Sequence, residues 1–144
     1  MKPPFGIKER KCKKSDYRFV RGLIRKTLYP YVTQYYPFDM GHVRESFNER
    51  MSEIRILMKG KRRIGFYQLS PRGKRLEVTR IYLTPRYQGK GIGTFYMRYF
   101  ETLGFDVLFL VVLDNNPARL LYKKLGYKVV AEKKHRFRME KRLK

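Results

Sequence analysis

The chain has 144 residues, of which 42% are hydrophobic and 15% aromatic, and its formal net charge is +23. This length and aromatic content are typical of one globular domain and exclude a disordered basic chain. No apolar run reaches the ~18 residues of a membrane span, and the single cysteine and two histidines lack the paired spacing of a zinc site. We therefore expect one domain over residues 1–144, in the cytoplasm, with no metal and no membrane segment.

The amino-terminal third predicts a short strand and two helices. Phe5 to Ile7 reads as the first strand. Ser15 or Asp16 is a natural N-cap for a helix with an apolar stripe, which Pro30 is expected to end. Residues 31–40 are predicted as an aromatic loop before a second, short helix.

The middle of the chain predicts an antiparallel meander. The segments 54–58 and 64–69 read as paired strands, and a turn at 70–73 leads into a third strand from Leu76 to Leu83. This third strand alternates and is rich in β-branched and aromatic residues.

A glycine-rich sequence, Gln88-Gly-Lys-Gly-Ile-Gly93, follows the third strand and opens a helix over residues 91–103. Its glycines let the backbone approach a ligand closely and leave amide N–H groups free at the first helical turn. The helix dipole adds partial positive charge there. The sequence therefore predicts an anion site suited to phosphate. Its spacing differs from a Walker loop and from a dinucleotide fingerprint.

The carboxyl-terminal part predicts a buried strand, a helix and a strand pair. Residues 107–113 are continuously apolar, which is typical of a strand buried on both faces and paired in parallel with the 76–83 strand. A helix opened by Asn115 and Pro117 is expected next. Residues 127–132 and 136–141 alternate and predict the final pair.

Two motifs resemble the GNAT superfamily of acyl-CoA-dependent N-acetyltransferases. Gln-x-x-Gly-x-Gly after a strand is similar to that family's pyrophosphate loop, and DNNPARLLYKKLGY, residues 114–127, falls at its second motif. The resemblance covers the chain from about residue 5 to the end. It implies an α/β GNAT fold: a mixed six- to seven-stranded sheet, about four helices, and a central pair of strands that splay apart around the cofactor.

The resemblance also implies acetyl-CoA as cosubstrate. Backbone N–H groups of the glycine loop are expected to hold its pyrophosphate, backbone groups of the central strand its pantetheine arm, and Asn115 either the arm or the following helix as a cap. The residues predicted to bind it are Ile81, Leu83, Gln88, Gly89, Lys90, Gly91, Ile92, Gly93, Thr94 and Asn115.

Tyr122 stands where many family members place the acid that protonates the departing thiolate. A phenol with a pKa near ~10 is protonated at neutral pH and can fill that role. The alternative is an ordinary aromatic residue of the helix. No covalent enzyme intermediate is expected, because Cys12 is predicted to lie in an exposed basic segment.

Glu77 is the candidate base. It precedes Gly91 by fourteen residues, where several protein-lysine acetyltransferases of the superfamily keep theirs. The alternative is a surface ion pair with Arg62, Arg63 or Arg75. Strand alternation predicts that one face carries Glu77, Thr79, Ile81 and Leu83.

The aromatic loop is predicted to wall the acceptor pocket, or else to pack in the core. Its candidates are Tyr31, Tyr35, Tyr36 and Phe38.

Taken together, these features predict an N-acetyltransferase that moves acetyl from acetyl-CoA to an amine, on a protein or peptide, by direct transfer in a ternary complex. Its high positive charge disfavours free polycations as acceptors and attracts polyanions. The alternative is a GNAT-fold module that binds nucleic acid or a ribosomal polyanion, with catalysis weak or lost. A monomer and a homodimer are both compatible with the sequence.

Overall fold

The computed structural model describes residues 1–144 and contains one seven-stranded sheet with five α-helices. The strands are β1 (Lys8–Lys11), β2 (Ile54–Lys59), β3 (Arg62–Arg72), β4 (Arg75–Leu83), β5 (Val107–Leu113), β6 (Lys128–Lys133) and β7 (Arg136–Arg142). The helices are α1 (Tyr17–Thr27), α2 (Tyr29–Val32), α3 (Met40–Arg50), α4 (Ile92–Phe100) and α5 (Ala118–Lys124). The predicted α/β class and mixed sheet are confirmed.

The sheet order is β1-β2-β3-β4-β5-β7-β6. Strands β2 to β4 form the predicted antiparallel meander, and β1 pairs antiparallel with β2. Strand β5 pairs in parallel with β4 after the crossover through α4, and its other edge pairs with β7. The final hairpin places β6 at the edge of the sheet.

Two predicted boundaries in the amino-terminal third are wrong. Phe5 and Gly6 adopt left-handed φ angles of 58° and 65°, so the predicted strand over residues 5–7 is a turn, and β1 begins at Lys8. Pro30 does not end α1, which stops at Thr27. It sits in the first turn of α2 instead, where the missing N–H costs nothing.

Each face of the sheet buries its own apolar cluster. One cluster joins the apolar sides of α4 and α5 to strands from β2 to β7. The second cluster lies on the opposite face, where α1 and α3 pack over Ile54, Ile56 and Phe66. No helix covers β5, β7 and β6 on this second face, and Val111 of β5 is 50% exposed there.

Asp16 is fully buried and forms a charged centre under the start of α1. Its carboxylate accepts two hydrogen bonds of 2.8 Å from Arg10, one of 2.8 Å from the Lys13 N–H, and an ion-pair contact of 2.9 Å from Arg63. Asp16 occupies the N-cap position of α1, as predicted, but its side chain accepts no hydrogen bond from the helix. The Arg10 hydrogen bonds hold the pKa of this carboxyl below its ordinary value.

We expect Asp16→Asn to lower the free energy of unfolding by about 3 kcal/mol, because it leaves two arginines without their buried carboxylate. Chemical denaturation at neutral pH measures this loss. The exposed carboxylate Glu45 provides the control, and Glu45→Gln should leave stability nearly unchanged.

The same loss should depend on pH. Because the pKa of Asp16 is lower in the folded state, its stabilisation is complete above the unfolded pKa of ~3.9 and is lost as pH falls through the folded value. The gap between wild type and Asp16→Asn should therefore close in acid. A gap that stays constant down to that range would contradict the buried ion-pair account.

Candidate active site

The central strands separate at a β-bulge. Strand β4 pairs with β5 only from Arg75–Val107 to Glu77–Phe109. Thr79 is the extra residue of β4, because Val78 pairs with Leu69 of β3 and Arg80 pairs with Gln68. A bulge bends its strand and increases the local twist. From this point β4 remains paired only with β3, and the predicted splay of the two central strands is confirmed.

The splay opens a cavity of about 1020 Å³. Its walls come from the second half of β4, the glycine loop, the end of β5, α5, and the segment between α1 and α3. This volume is at the upper end of the usual range for ligand pockets. A long, narrow ligand can therefore lie between the two strands.

The glycine loop ends in an exposed row of backbone N–H groups. Gly89 and Gly91 have φ angles of 72° and 82°, and Gly91 is the N-cap of α4. The first helical hydrogen bond runs from the Phe95 N–H to the Gly91 carbonyl, at 3.0 Å. The N–H groups of residues 89–94 have no acceptor within the protein. They fit a pyrophosphate, as the sequence predicts.

The space above this loop is open. A Cβ added at Gly89, Gly91 or Gly93 meets no atom within 4 Å. Gln88 donates a hydrogen bond of 2.9 Å to the Leu83 carbonyl and thereby ties the loop to the end of β4. Lys90 is exposed beside the loop. The side chain of Ile92 is fully buried in the core, so only its N–H is available to a ligand.

Backbone groups of β4 point into the splay. The Thr84 N–H bonds to the Ile64 carbonyl at 2.9 Å, next to the Leu83–Gly65 pair. Hydrogen-bonded and non-bonded pairs alternate along antiparallel strands, which directs the N–H and C=O groups of Leu83 and Ile81 away from β3. These groups have no strand partner on the β5 side, and only the Leu83 carbonyl has another partner, the Gln88 side chain. They match the expected contacts with an amide-rich arm.

Tyr122 lines the cavity from α5. Burial raises the pKa of its phenol above the ordinary value, and the nearby phenol of Tyr82 adds to this shift. The hydroxyl therefore stays protonated at neutral and moderately alkaline pH. Its position and protonation suit a proton donor.

Glu77 lies outside the cavity lining and forms an ion pair with Arg72 at 3.4 Å. The predicted partners Arg63 and Arg75 bind other carboxylates, Asp16 and Glu140.

The prediction that Glu77, Thr79, Ile81 and Leu83 share a face is wrong. Ile81 and Leu83 pack with Leu76 and Val78 against α4, because the bulge at Thr79 shifts the alternation by one residue. Thr79 instead bonds to the Ser70 hydroxyl at 2.8 Å, on the side that Ser70 and Glu77 share as cross-strand partners.

Asn115 anchors the segment around α2. Its side-chain amide donates to the Tyr31 carbonyl at 3.1 Å, and its buried Oδ1 has no protein partner. The predicted cap of α5 is instead its neighbour Asn116, whose Oδ1 accepts from the Ala118 N–H at 3.0 Å. Asn116, and not Asn115, lines the cavity.

The segment around α2 is also fixed by a polar clamp. Tyr35 donates a hydrogen bond of 2.6 Å to Asp114 and stacks on His135 at 3.8 Å, and His135 contacts the second Asp114 oxygen at 3.0 Å. The Tyr35 hydrogen bond lowers the pKa of the Asp114 carboxyl. Of the predicted aromatic residues, Tyr35 thus serves the clamp. The residues that line the cavity are Tyr31, Tyr36 and Phe38.

The cavity lining contains three cations, Lys26, Arg80 and Arg136, and no aspartate or glutamate. None of them lies within salt-bridge distance of a carboxylate. The sequence reasoning missed these residues, because they belong to no motif and come from distant elements. Only the fold brings them together.

Other kinds of site have no counterpart. The structure contains no group of three or more His, Cys, Asp or Glu side chains that could hold a metal ion. None of its helices has the length and hydropathy needed to cross a membrane.

The cavity combines the splayed strands β4 and β5, the free N–H groups of the glycine loop and the phenol of Tyr122. This combination is the one expected of a transferase that uses an acyl-CoA. The family model described as Acetyltransferase (GNAT) family matches residues 23–127. The chain belongs to this family, and the predicted class of enzyme, an acetyl-CoA-dependent N-acetyltransferase, is confirmed. A comparison with curated protein sequences gave no significant match.

Several solved structures share the fold. The PaiA N-acetyltransferase from Thermoplasma acidophilum, solved in complex with coenzyme A, is 22% identical with a TM-score of 0.72, over 94% of this chain and 98% of that one. Ard1 from Thermoplasma volcanium is 16% identical with a TM-score of 0.73, over 96% and 98%. Spermidine N-acetyltransferase from Vibrio cholerae, solved with CoA and spermine, is 18% identical with a TM-score of 0.70, over 95% of each chain.

A substitution at Gly93 tests the role of the glycine loop without straining the backbone. Gly93 lines the cavity without a positive φ, and a Cβ there meets no protein atom. We expect Gly93→Val to weaken acetyl-CoA binding by roughly a hundredfold or more, because its side chain enters the space above the N–H groups. Calorimetric titration measures the affinity.

Gly22→Val is the matched control. Gly22 lies within α1 with equally open surroundings, but outside the cavity. The control should bind acetyl-CoA like wild type. Equal affinities for all three proteins would contradict the assignment of the loop.

Proposed function

We propose that this protein transfers the acetyl group of acetyl-CoA to an amine of a protein or peptide, directly within a ternary complex, with Tyr122 as the proton donor. The observation that carries the proposal is one continuous cavity, which runs from the free N–H groups of the glycine loop, along the unpaired edge of β4, to the Tyr122 side chain. The acceptor reaches the same cavity from the side of α2.

Different parts of the protein are suited to bind different parts of acetyl-CoA. The N–H groups of residues 89–94 are suited to the pyrophosphate, and exposed Lys90 adds a cation next to them. The backbone of Ile81 and Leu83 offers hydrogen bonds to the pantetheine amides. This arrangement directs the thioester toward the middle of the cavity.

The reaction requires an unprotonated amine and a proton for the leaving sulfur. The amine nitrogen forms a bond to the thioester carbonyl carbon, and the carbon–sulfur bond breaks. The sulfur then takes a proton from the Tyr122 hydroxyl, and the proton released by the nitrogen passes to water or a base. The products are an acetamide and free CoA. Solvent returns the proton to Tyr122 before the next turnover.

Direct transfer is supported by the position of Cys12. The sequence predicts this residue to be exposed, but its side chain is buried in the cluster under α1. Burial raises the pKa of its thiol to about 11, so little thiolate is present at neutral pH. Cys12 does not line the cavity. It is therefore unsuited to carry the acetyl group as a covalent intermediate.

A protein or peptide acceptor is supported by the electrostatics of the cavity. A polycation such as spermidine needs carboxylates around it, and the lining has none. The net charge of +23 repels polycations at longer range as well. A single amine at the end or on the surface of a polypeptide avoids both costs.

Tyr122→Phe tests the proton donor. We expect it to leave the affinity for acetyl-CoA nearly unchanged and to lower kcat by roughly ten- to a thousandfold, as for other positioned acids. Since burial raises the pKa of Tyr122, wild-type activity should not fall with rising pH below about pH 10. Turnover equal to wild type would return Tyr122 to a packing role.

Glu77→Gln separates the two roles considered for Glu77. Its ion pair with Arg72 favours the surface role, and in that case turnover should change by less than about threefold, with a parallel pH profile. A base that acts through water would instead lose roughly a hundredfold at neutral pH and less at high pH. Rates are measured against pH with acetyl-CoA saturating.

A further inference from the structure

A basic depression lies on the uncovered face of the sheet. Its floor is formed by Val111 of β5 and Ala131 of β6, and its rim by four cations. We call this surface the basic shelf. Its residues are Val111, Ala131, Lys133, Lys134, Arg136 and Arg138, and its volume is about 390 Å³.

The basic shelf is continuous with the active-site cavity, because Val111 and Arg136 line both. Arg136 stands between them with its guanidinium 4.7 Å from the centre of the Tyr36 ring. Side chains two residues apart on one strand face are separated by about 7 Å, so the step from Arg136 to Arg138 corresponds to about two residues of an extended peptide. An extended segment can therefore lie on the shelf while its end enters the cavity.

Three of the four cations of the shelf have no carboxylate partner within the protein. Lys133, Lys134 and Arg136 form no salt bridge, and only Arg138 is paired, with Glu140 at 3.1 Å. A second copy of this chain would place like charges against one another, which disfavours it as the occupant. The shelf also lacks the exposed aromatic residues on which single-stranded nucleic acids stack. An acidic peptide complements both the cations and the apolar floor.

The cavity cations select the kind of amine. Lys26, Arg80 and Arg136 disfavour a bound ammonium ion, and no lining carboxylate is present to remove its proton. At pH ~7.5, roughly a quarter of peptide α-amino groups are neutral, against roughly one in a thousand lysine side chains. An α-amino group is therefore the better acceptor.

We propose that the acceptor is the α-amino group of a polypeptide whose first residues carry carboxylates, and that these carboxylates bind the basic shelf and the cavity cations. The inference rests on the proposed acetyl transfer to an amine and names its substrate class. The carboxylates lie within the first few residues, given the distance from the cavity to the shelf.

The test compares short synthetic peptides of equal length. One has a free amino terminus followed by three glutamates, the second has glutamines in their place, and the third has the glutamates with a blocked amino terminus and one lysine. We expect kcat/KM for the glutamate peptide to exceed that of the glutamine peptide by roughly tenfold or more at low salt, and to exceed that of the blocked peptide by roughly a hundredfold. Equal rates for the first two peptides would overturn the proposal.

Two double variants locate the effect. Lys133→Glu with Lys134→Glu reverses exposed charges of the shelf. Lys61→Glu with Arg62→Glu makes the same change in charge in the β2–β3 hairpin, at an exposed turn residue and the exposed first residue of β3. The ratio of glutamate to glutamine peptide should fall toward one in the first variant and stay at the wild-type value in the second. An equal fall in both would overturn the role of the shelf.

Two further outcomes are decisive. RNA binding that is lost in the shelf variant, together with a peptide ratio near one in wild type, would assign the shelf to nucleic acid and overturn the proposal. Absence of transfer to every peptide and to spermidine, while acetyl-CoA binds, would contradict the proposed function itself and the inference with it.

Discussion

The bulge at Thr79 is the constraint on which the active site depends. It falls two residues after the last pair between β4 and β5, and it turns β4 away while β3 keeps its hydrogen bonds. Strand β5 remains in place because β7 pairs with it from Val107 to Leu113. The two central strands are thus held apart by their outer neighbours. A cavity forms in the middle of the sheet without loss of the core on either side.

The bulge also determines what the side chains do. It places Ile81 and Leu83 on the face packed against α4, so that they fix the strand while their backbone groups face the cavity. It turns Glu77 and Thr79 to the other face, beside Ser70 and the uncovered part of the sheet. In the proposed reaction, catalysis therefore depends on backbone geometry and on Tyr122, with few charged side chains at the reacting centre.

The positive charges fall into two groups, those paired with carboxylates of the protein and those without such a partner. Arg10 and Arg63 neutralise the buried Asp16, and Arg75 and Arg138 lie over the Phe109 ring at 5.4 and 4.2 Å while both bind Glu140. The cations of the cavity have no carboxylate partner. This difference separates charges that stabilise the fold from charges available to a ligand.

The sequence was sufficient for the elements with strong local patterns. The glycine loop, the buried strand β5 and the helix after Pro117 were all predictable from spacing and composition. The first strand was not, because Phe5 takes a left-handed conformation that its residue type does not indicate. The prediction that Glu77 shares a face with Ile81 and Leu83 failed because the sequence of an alternating strand does not indicate where a bulge occurs.

Long-range contacts limited the prediction of the site in the same way. The clamp of Tyr35, Asp114 and His135 joins residues 79 and 21 positions apart in the chain. Arg80 and Arg136 line the same cavity only because the fold places β4 and β7 on the two sides of β5. No local sequence pattern indicates that residues so far apart in the chain lie close together in the fold.

Hydrogen–deuterium exchange with and without acetyl-CoA tests whether the glycine loop and the unpaired edge of β4 bind the cosubstrate, because it reports on the individual N–H groups. We expect fast exchange at residues 89–94 in the free protein and protection by about tenfold or more when acetyl-CoA is bound, together with protection at Ile81 and Leu83. Saturating binding with no change at these N–H groups would contradict this role of the loop and the strand edge.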